Sequence, residues 1–353
     1  MNNFTSPPIE NSKINSIHRY GPFSFTIGSE GFNYSSQFVI EDLIPSGSFG
    51  IIYGPSSSMK SFLAVDMAAS ISSGIHWGDK SVNKGAVVYI AAEGERAIAQ
   101  RVRAFEQSNN VTADNLFILG HSLIMSYDDS QIGLVNAIRD IELQHQTAVV
   151  LVIIDTLARC YDGDENTSRD MSAFIRGCDT VKNLTGTTVL CIHHSGRDEK
   201  KGARGSSALR AACDFEFQVK RSGKSKSLTL INTKQKDSDE APDMRLDFEP
   251  IDLGIKCNRH KPIESLARVN STVVQCCQQE NCRILTILSV TFEGRTTCGE
   301  LKNELFQSPN SLTDAERKKY SRDLKRLRDE GRIRIEQANK SRISPTDMIY
   351  VCH

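Results

Sequence analysis

The feature that most constrains the fold is a regular alternation of short apolar runs with helical segments across the first two thirds of the chain. Runs such as VVLVIID and TTVLCI are almost wholly apolar, and between them apolar residues recur at helical spacing. Continuous apolar strands joined by helices are typical of a parallel sheet covered on both faces. We therefore predict an α/β fold with a mainly parallel sheet. The expected helices span 60–74, 96–108, 131–146 and 168–186, the last capped by Ser168.

After this region the sequence pattern changes from alternating strands and helices to successive strands. The segments DFEFQVKR, SLTLINTKQK and MRLDFEPI predict successive strands that extend the sheet in antiparallel fashion and end near residue 255. Polar, cysteine-bearing residues follow and predict a linker with one helix. Three helices at 283–292, 298–306 and 312–331, then the strands RIRIE and DMIYVCH, predict a small winged-helix unit. The expected domains are an N-terminal extension 1–35, an α/β domain 36–255, a linker 256–282 and a winged-helix domain 283–353.

Composition is ordinary for a globular protein, with 43 basic and 43 acidic side chains, so overall charge does not indicate a nucleic-acid partner. No apolar run is long enough to span a membrane, and the polar start lacks the features of a signal peptide. We expect a cytoplasmic protein whose 10 cysteines are reduced. Cys257 and His260 have a metal-like spacing near Cys276, Cys277 and Cys282. No second tight pair completes a zinc site there, and ordinary thiols are the favoured interpretation.

The segment IIYGPSSSMKS lies between a predicted strand and a predicted helix. It matches the phosphate-loop pattern G-x-x-x-x-G-K-[ST], except that Met59 stands where the second glycine belongs. Backbone N–H groups of such a loop wrap phosphate oxygens, Lys60 would bind the β- and γ-phosphates, and the Ser61 hydroxyl would ligate Mg²⁺. Methionine suits this role if its backbone is not held at positive φ, and we expect its side chain to pack away from the nucleotide. The predicted ATP-binding residues are Gly54, Pro55, Ser56, Ser57, Ser58, Met59, Lys60 and Ser61.

Polar residues also end the neighbouring strands, where ligands of doubly wound sheets collect. Asp155 closes VVLVIID and is the expected second Mg²⁺ ligand, although a strand-end aspartate also caps loops in many α/β proteins. Glu93 in YIAAEGER is the expected base for the attacking water, with Glu95 as a nearby competitor. His193 and His194 end CIHH and are candidate γ-phosphate sensors. One of the two is alternatively a core histidine.

The segments GPSSSMKS, YIAAEGER, VVLVIIDT, CIHHSG and ARGSSALRAACD together resemble RecA-like hexameric replicative helicases of plasmid type, the RepA family, and related phage AAA-type ATPases. The resemblance covers about residues 36–250, and its most specific part is the run from HHSG through RGSSALRAACD. It implies an ATP-dependent DNA motor in which Lys60, Ser61, Glu93 and Asp155 act as described above, with His193 or His194 as sensor. It also implies a homo-hexamer that threads single-stranded DNA.

The resemblance further implies basic groups that act on a neighbouring subunit or on DNA. The arginine finger of the plasmid helicase falls near Asp214 here, so that assignment fails, and Lys234 and Lys236 are the expected substitutes. An equally favoured interpretation is that both lysines are simply solvated side chains at the end of a strand. The loop after the HHSG segment offers phosphate contacts from Arg197, Lys200, Lys201 and Arg204, the last at a subunit boundary or on a DNA-facing loop.

The third C-terminal helix carries the basic residues Arg317, Lys318, Lys319, Arg322, Lys325, Arg326 and Arg328. We expect it to contact duplex DNA, although interspersed acids also suit a protein-interaction module. The sequence as a whole predicts Mg²⁺-dependent ATP hydrolysis coupled to DNA translocation by a replicative helicase-like motor. The alternatives are an ATP-switched DNA-binding regulator or recombination mediator that does not unwind, and a degenerate loop that hydrolyses nothing.

Overall fold

The computed structural model describes residues 18–25, 27–28, 37–165, 167–196, 206–221, 223–273, 284–285, 287–292, 294–306, 313–329, 331–336 and 344–351. Side chains are described for these residues apart from 289–290, 314–319 and 326. The chain divides into two compact units, Met1–Val273 and Val274–His353. Each unit is described by itself.

Two short hairpins precede the main sheet of the first unit. The first pairs β1 (His18–Tyr20) with β2 (Phe23–Phe25), and the second pairs β3 (Phe38–Ile40) with β4 (Ile44–Pro45). The first hairpin lies within the expected N-terminal extension, most of which is outside the described residues.

Among the described residues the central sheet has nine strands, in the order β13-β12-β11-β10-β5-β9-β8-β6-β7. The segment from β10 to β7 is parallel, and β10 to β13 pair antiparallel. The predicted fold class, a mainly parallel sheet with an antiparallel extension, is confirmed. The strands are β5 (Phe49–Gly54), β6 (Ala86–Ala91), β7 (Leu116–Leu119), β8 (Val149–Asp155), β9 (Thr188–His194), β10 (Phe215–Lys220), β11 (Ser227–Gln235), β12 (Met244–Lys256) and β13 (Pro262–Val273).

The four helices that apolar spacing predicted are present, and a short fifth helix was not predicted. They are α1 (Lys60–Ser73), α2 (Glu95–Asn109), α3 (Asp128–His145), α4 (Ser168–Thr185) and the short α5 (Ser207–Ala212). The α1 helix ends at Gly74, as predicted. The predicted cap of α4 is wrong by one residue, because the Thr167 side chain accepts the N–H of Asp170 while Ser168 begins the helix.

Alternate residues of the central strands bury themselves on opposite faces of the sheet. Ile153 of β8 and Ile192 of β9 join the apolar core that contains α1, while Ile154 and Cys191 join the core that contains α4. This alternation decides which strand-end side chains can face the loop that precedes α1.

The strand β13 replaces part of the predicted linker. Its residues 262–273 pair with β12 and form the edge of the sheet, so the first unit continues to Val273 rather than ending near 255. Within this strand Ala267 alone is buried, and polar side chains are frequent. An edge strand with so little apolar signal does not stand out from a linker in sequence. Arg268 ties it to α1 through a 2.6 Å bond from Nε to Asp66 Oδ2.

In the described part of the second unit, one strand lies between the first helical turn and the two helices that follow. A π-helical turn at Ile287–Thr291 lies within the predicted first helix. It is followed by β14 (Arg295–Thr297), α6 (Cys298–Leu305), α7 (Asp314–Asp329), β15 (Ile333–Glu336) and β16 (Met348–Val351). In the part that the structure describes, the three strands form an antiparallel sheet in the order β14-β16-β15. The apolar core of this unit includes Leu301, Leu324 and Leu327 from the helices and Ile349 from the sheet.

No helix in the described part of the chain is long and apolar enough to cross a bilayer.

Candidate active site

The loop between β5 and α1 takes an unusual backbone. Met59 stands at the helix N-cap with φ 71° and ψ 20°, and Ser57 has φ 63°. Both residues therefore occupy the left-handed region, which costs a residue other than glycine about 1–2 kcal/mol. The expectation that position 59 avoids positive φ is wrong. The Met59 side chain is 6% exposed and belongs to the core under α1.

Lys60 points back onto the loop that it follows. Its Nζ donates to Gly54 O at 2.9 Å and to Pro55 O at 2.7 Å. The side chain is almost fully buried, and this desolvation lowers the pKa of Lys60 to about 8, while the Asp155 and Glu93 carboxylates oppose the shift. Phosphate oxygens would compete with these two carbonyls for the ammonium group.

Asp155 ends β8 on the same face of the sheet as α1. Its Oδ2 accepts a 2.6 Å hydrogen bond from Tyr89 Oη, and the Ser61 side chain also bonds to it. Burial raises the pKa of Asp155, and these hydrogen bonds oppose the rise. A carboxylate in contact with a serine hydroxyl is a set of oxygen donors that Mg²⁺ prefers, with phosphate and water as its further ligands. Ser61 and Asp155 therefore fit the predicted metal.

Glu93 and Glu95 differ in what they face. Thr156 Oγ1 donates to Glu93 Oε1 at 3.0 Å, which places the exposed Glu93 beside the end of β8. Glu95 begins α2 and its side chain packs against Gly120 so closely that it leaves no room for a Cβ on that glycine. The geometry favours Glu93 over Glu95 as the group beside a bound nucleotide.

The two histidines of β9 lie on opposite faces of the sheet. His194 pairs in register with Gly54 and lines the cavity at the loop, whereas His193 is 1% exposed and pairs with Tyr53. The interpretation of one as a core histidine applies to His193. The structure does not bring His193 to the loop, because adjacent strand residues point to opposite faces.

A cavity of about 340 Å³ joins these groups. It is lined by Ser57, Ser58, Met59, Lys60, Ser61, Phe62, Glu93, Arg101, Thr156, His194 and Arg221. Sequence reasoning missed both arginines. Arg101 lies on α2 with its guanidinium 4.3 Å from the centre of the Phe62 ring. Arg221 directly follows β10, so the rule that polar residues at strand ends converge could have found it.

The predicted trans and DNA contacts are only partly placed. Arg197, Lys200, Lys201 and Arg204 lie outside the described residues, as do the side chains of residues 317–319 and 326. Lys234 Nζ donates to the carbonyls of Arg210, Ala211 and Cys213 at the end of α5. Lys236 is 3.3 Å from Asp214. Both lysines have partners within the chain, and their trans role stays a prediction.

The zinc alternative, which the sequence did not favour, can be examined only at Cys257 and His260. Cys257 and His260 lie in the turn between β12 and β13, where the backbone N–H of His260 donates to the carbonyl of Cys257. Cys276, Cys277 and Cys282 are outside the described range. Within that range no group of three or more His, Cys, Asp or Glu side chains could hold a metal.

The chain was compared with known families and solved structures. A family model described as an AAA domain, AAA_25, matches residues 27–200. Among solved structures, the chain is similar to one described as an ATPase domain, with 16% identity, a TM-score of 0.45, and coverage of 57% of this chain and 82% of that one. The AAA match and the strand-end geometry support an ATPase with a RecA-like P-loop fold.

Proposed function

We propose that this protein hydrolyses ATP and couples hydrolysis to movement on DNA, as a replicative helicase-like motor. The observation that carries the ATPase part is the convergence of Lys60, Ser61, Glu93, Thr156 and His194 on one cavity at the carboxyl ends of the parallel strands. Groups of these types at this edge of the sheet are what phosphoryl transfer to water requires.

The mechanism follows from the position of each side chain. Lys60 would leave the carbonyls of Gly54 and Pro55 and bind β- and γ-phosphate oxygens. Ser61 and Asp155 would hold Mg²⁺, which when bound neutralises charge on those phosphates. Glu93, held by Thr156, would orient a water and accept its proton as the water oxygen attacks the γ-phosphorus. The bond to the bridging oxygen would break and leave ADP and phosphate, and His194, which lines the same cavity, would contact the γ-phosphate.

The DNA part of the proposal is supported by sequence more than by geometry. The basic residues Arg197, Lys200, Lys201 and Arg204 come soon after β9 in the sequence, and β9 carries His194. A change at the γ-phosphate would therefore be close in sequence to a candidate DNA contact. The order helix, strand, helix, helix, strand, strand in the second unit suits a winged helix that contacts duplex DNA.

A homo-hexamer is part of the same proposal, since motors of this type complete their sites with basic groups from a neighbour. Lys236 is the better placed of the two candidates, because its ion pair with Asp214 is exposed and 3.3 Å long. Exposed pairs of this kind contribute about 0–1 kcal/mol and open readily.

The test is ATP hydrolysis by the full chain with and without single-stranded DNA, alongside its mass by light scattering in ATP. We expect DNA to stimulate hydrolysis, Lys60→Ala and Glu93→Gln to abolish it, and the matched variant Glu95→Gln to retain it. Strand displacement on a forked duplex should depend on ATP. A monomer with no DNA stimulation would contradict the motor, and ATP-dependent DNA binding without displacement would favour the regulator.

A further inference from the structure

We propose that Arg221 is a positioning residue of the nucleotide site, which holds the phosphate loop in the left-handed conformation that Ser57 and Met59 adopt. The inference rests on the proposed nucleotide-binding function and assigns a role to a residue outside the phosphate-loop motif. It deepens that function, because the motif alone does not explain how a loop lacking its second glycine keeps its shape.

The position of Arg221 follows from the sheet. The strand β10 runs parallel to β5, with Gln218 in register with Tyr53. The two strands approach so closely near their ends that a Cβ on Gly54 would lie 2.5 Å from Val219 O. The residue that follows β10 is therefore delivered directly beside the phosphate loop, although 164 residues separate it from Ser57 in sequence.

The contacts of Arg221 connect two loops. Its Nη1 donates to Ser57 O at 2.7 Å, and its Nε donates to Ser225 O at 2.5 Å in the turn before β11. The guanidinium group is planar and its donors have fixed directions, so anchoring one edge on Ser225 fixes where the other edge points. The same group lines the cavity that Lys60 and His194 line, which adds positive charge where phosphates would bind.

The conformation that Arg221 contacts is one that needs support. Ser57 and Met59, at φ 63° and 71°, both favour return to negative φ, whereas a glycine would hold this conformation freely. Because the peptide group is planar, a hydrogen bond to Ser57 O restrains rotation of the whole Ser57–Ser58 peptide. Arg221 thus restrains the segment that links the two left-handed residues.

The test is a set of full-length variants titrated with a fluorescent Mg·ADP analogue. Charge-assisted hydrogen bonds contribute enough that Arg221→Ala should weaken binding about tenfold, or about 1.4 kcal/mol. Arg221→Lys should recover part of the loss. Lys224→Ala is the matched control, since it removes the same charge from the same exposed turn, and it should change affinity less than about twofold.

The decisive measurement repeats Arg221→Ala in a Met59→Gly background. If Arg221 supports the left-handed loop, glycine relieves part of that need, and the loss should fall to about threefold or less. Equal losses in the two backgrounds, or no loss in either, would overturn the inference. Failure of the unmodified chain to bind nucleotide would instead contradict the proposed function. Thermal unfolding of each variant checks that it folds, and Arg221→Gln replaces any alanine variant that does not.

Discussion

Replacement of Met59 tests whether the phosphate loop has the backbone described above. Two substitutions are needed, Met59→Ala and Met59→Gly, because both remove the buried thioether and only glycine adopts φ 71° without steric cost. In most loop positions alanine is the more stabilising of the two by about 0.4–1 kcal/mol, since it restricts the unfolded chain. We expect the opposite order here.

The magnitudes follow from burial and backbone geometry. Met59 is 6% exposed within the core under α1, so truncation to alanine should cost about 3 kcal/mol in free energy of unfolding. Glycine removes the left-handed penalty of about 1–2 kcal/mol but loses about 0.4–1 kcal/mol through its freedom in the unfolded state. Met59→Gly should therefore be more stable than Met59→Ala by about 0.5–1 kcal/mol, and less stable than the unmodified chain by about 2 kcal/mol.

The assay is thermal unfolding of the full chain, followed by a probe in the first unit. A difference of about 1 kcal/mol shifts the melting temperature of a domain of this size by about 2–4 °C, which is readily measured. ATP hydrolysis should remain largely intact in Met59→Gly, because the side chain packs into the core. An alanine variant as stable as the glycine variant, or more so, would refute the left-handed assignment. Rescue of hydrolysis from zero by glycine would refute the claim that methionine is compatible with a working loop.

Three further predictions concern two residues of the site and the ion pair that joins β13 to α1. Burial lowers the pKa of Lys60 to about 8. Because Mg-free ADP binds the ammonium form of this side chain, its affinity, measured by calorimetry, should fall as pH rises above that value. In Lys60→Arg the affinity should depend less on pH, since arginine stays charged. Thr156→Val removes the 3.0 Å bond to Glu93 and should lower kcat about tenfold with little change in KM for ATP; an equal rise in KM would contradict a purely orienting role. Arg268→Met leaves the buried Asp66 carboxylate without its cation and should cost about 3–5 kcal/mol by urea unfolding. A second substitution, Asp66→Asn, should recover part of that loss, and failure to do so would contradict the ion-pair explanation.

The fold could be predicted because the parallel strands are buried on both faces. Residues 149–155 and 188–194 are therefore nearly continuous apolar runs, and helices with apolar spacing lie between them. The edge strand β13 could not be predicted in the same way. One residue of it, Ala267, is fully buried, while Ile263 and Leu266 are only partly buried against apolar neighbours, so it lacks the near-continuous apolar run of a central strand. Pairing with β12 and the ion pair of Arg268 also hold it in place.

The site was predictable to the extent that it is made by strand ends. Asp155, Glu93 and His194 are short or medium side chains next to a strand, so the strand order alone brings them to the loop. Arg221 also follows a strand, so the same rule brings its backbone near the loop, but the direction of its long side chain depends on its contact with Ser57. Arg101 lies on the helix α2 beside Phe62, and no strand-end rule links it to the loop.

The backbone of the phosphate loop also explains how a methionine can stand in place of glycine. The cost of a left-handed residue, about 1–2 kcal/mol, is smaller than the stabilisation of about 2–3 kcal/mol from burying a side chain of this size. Met59 obtains that burial because it directs its side chain into the core with Leu63 while its backbone faces the loop. A glycine would adopt the left-handed geometry without steric cost, whereas here the burial of the Met59 side chain offsets that cost, in addition to the contact of Arg221 with the loop. A polar residue at position 59 would have the same φ without the burial, so we expect Met59→Gln to lose more stability than Met59→Gly, a ranking that the same thermal unfolding assay measures.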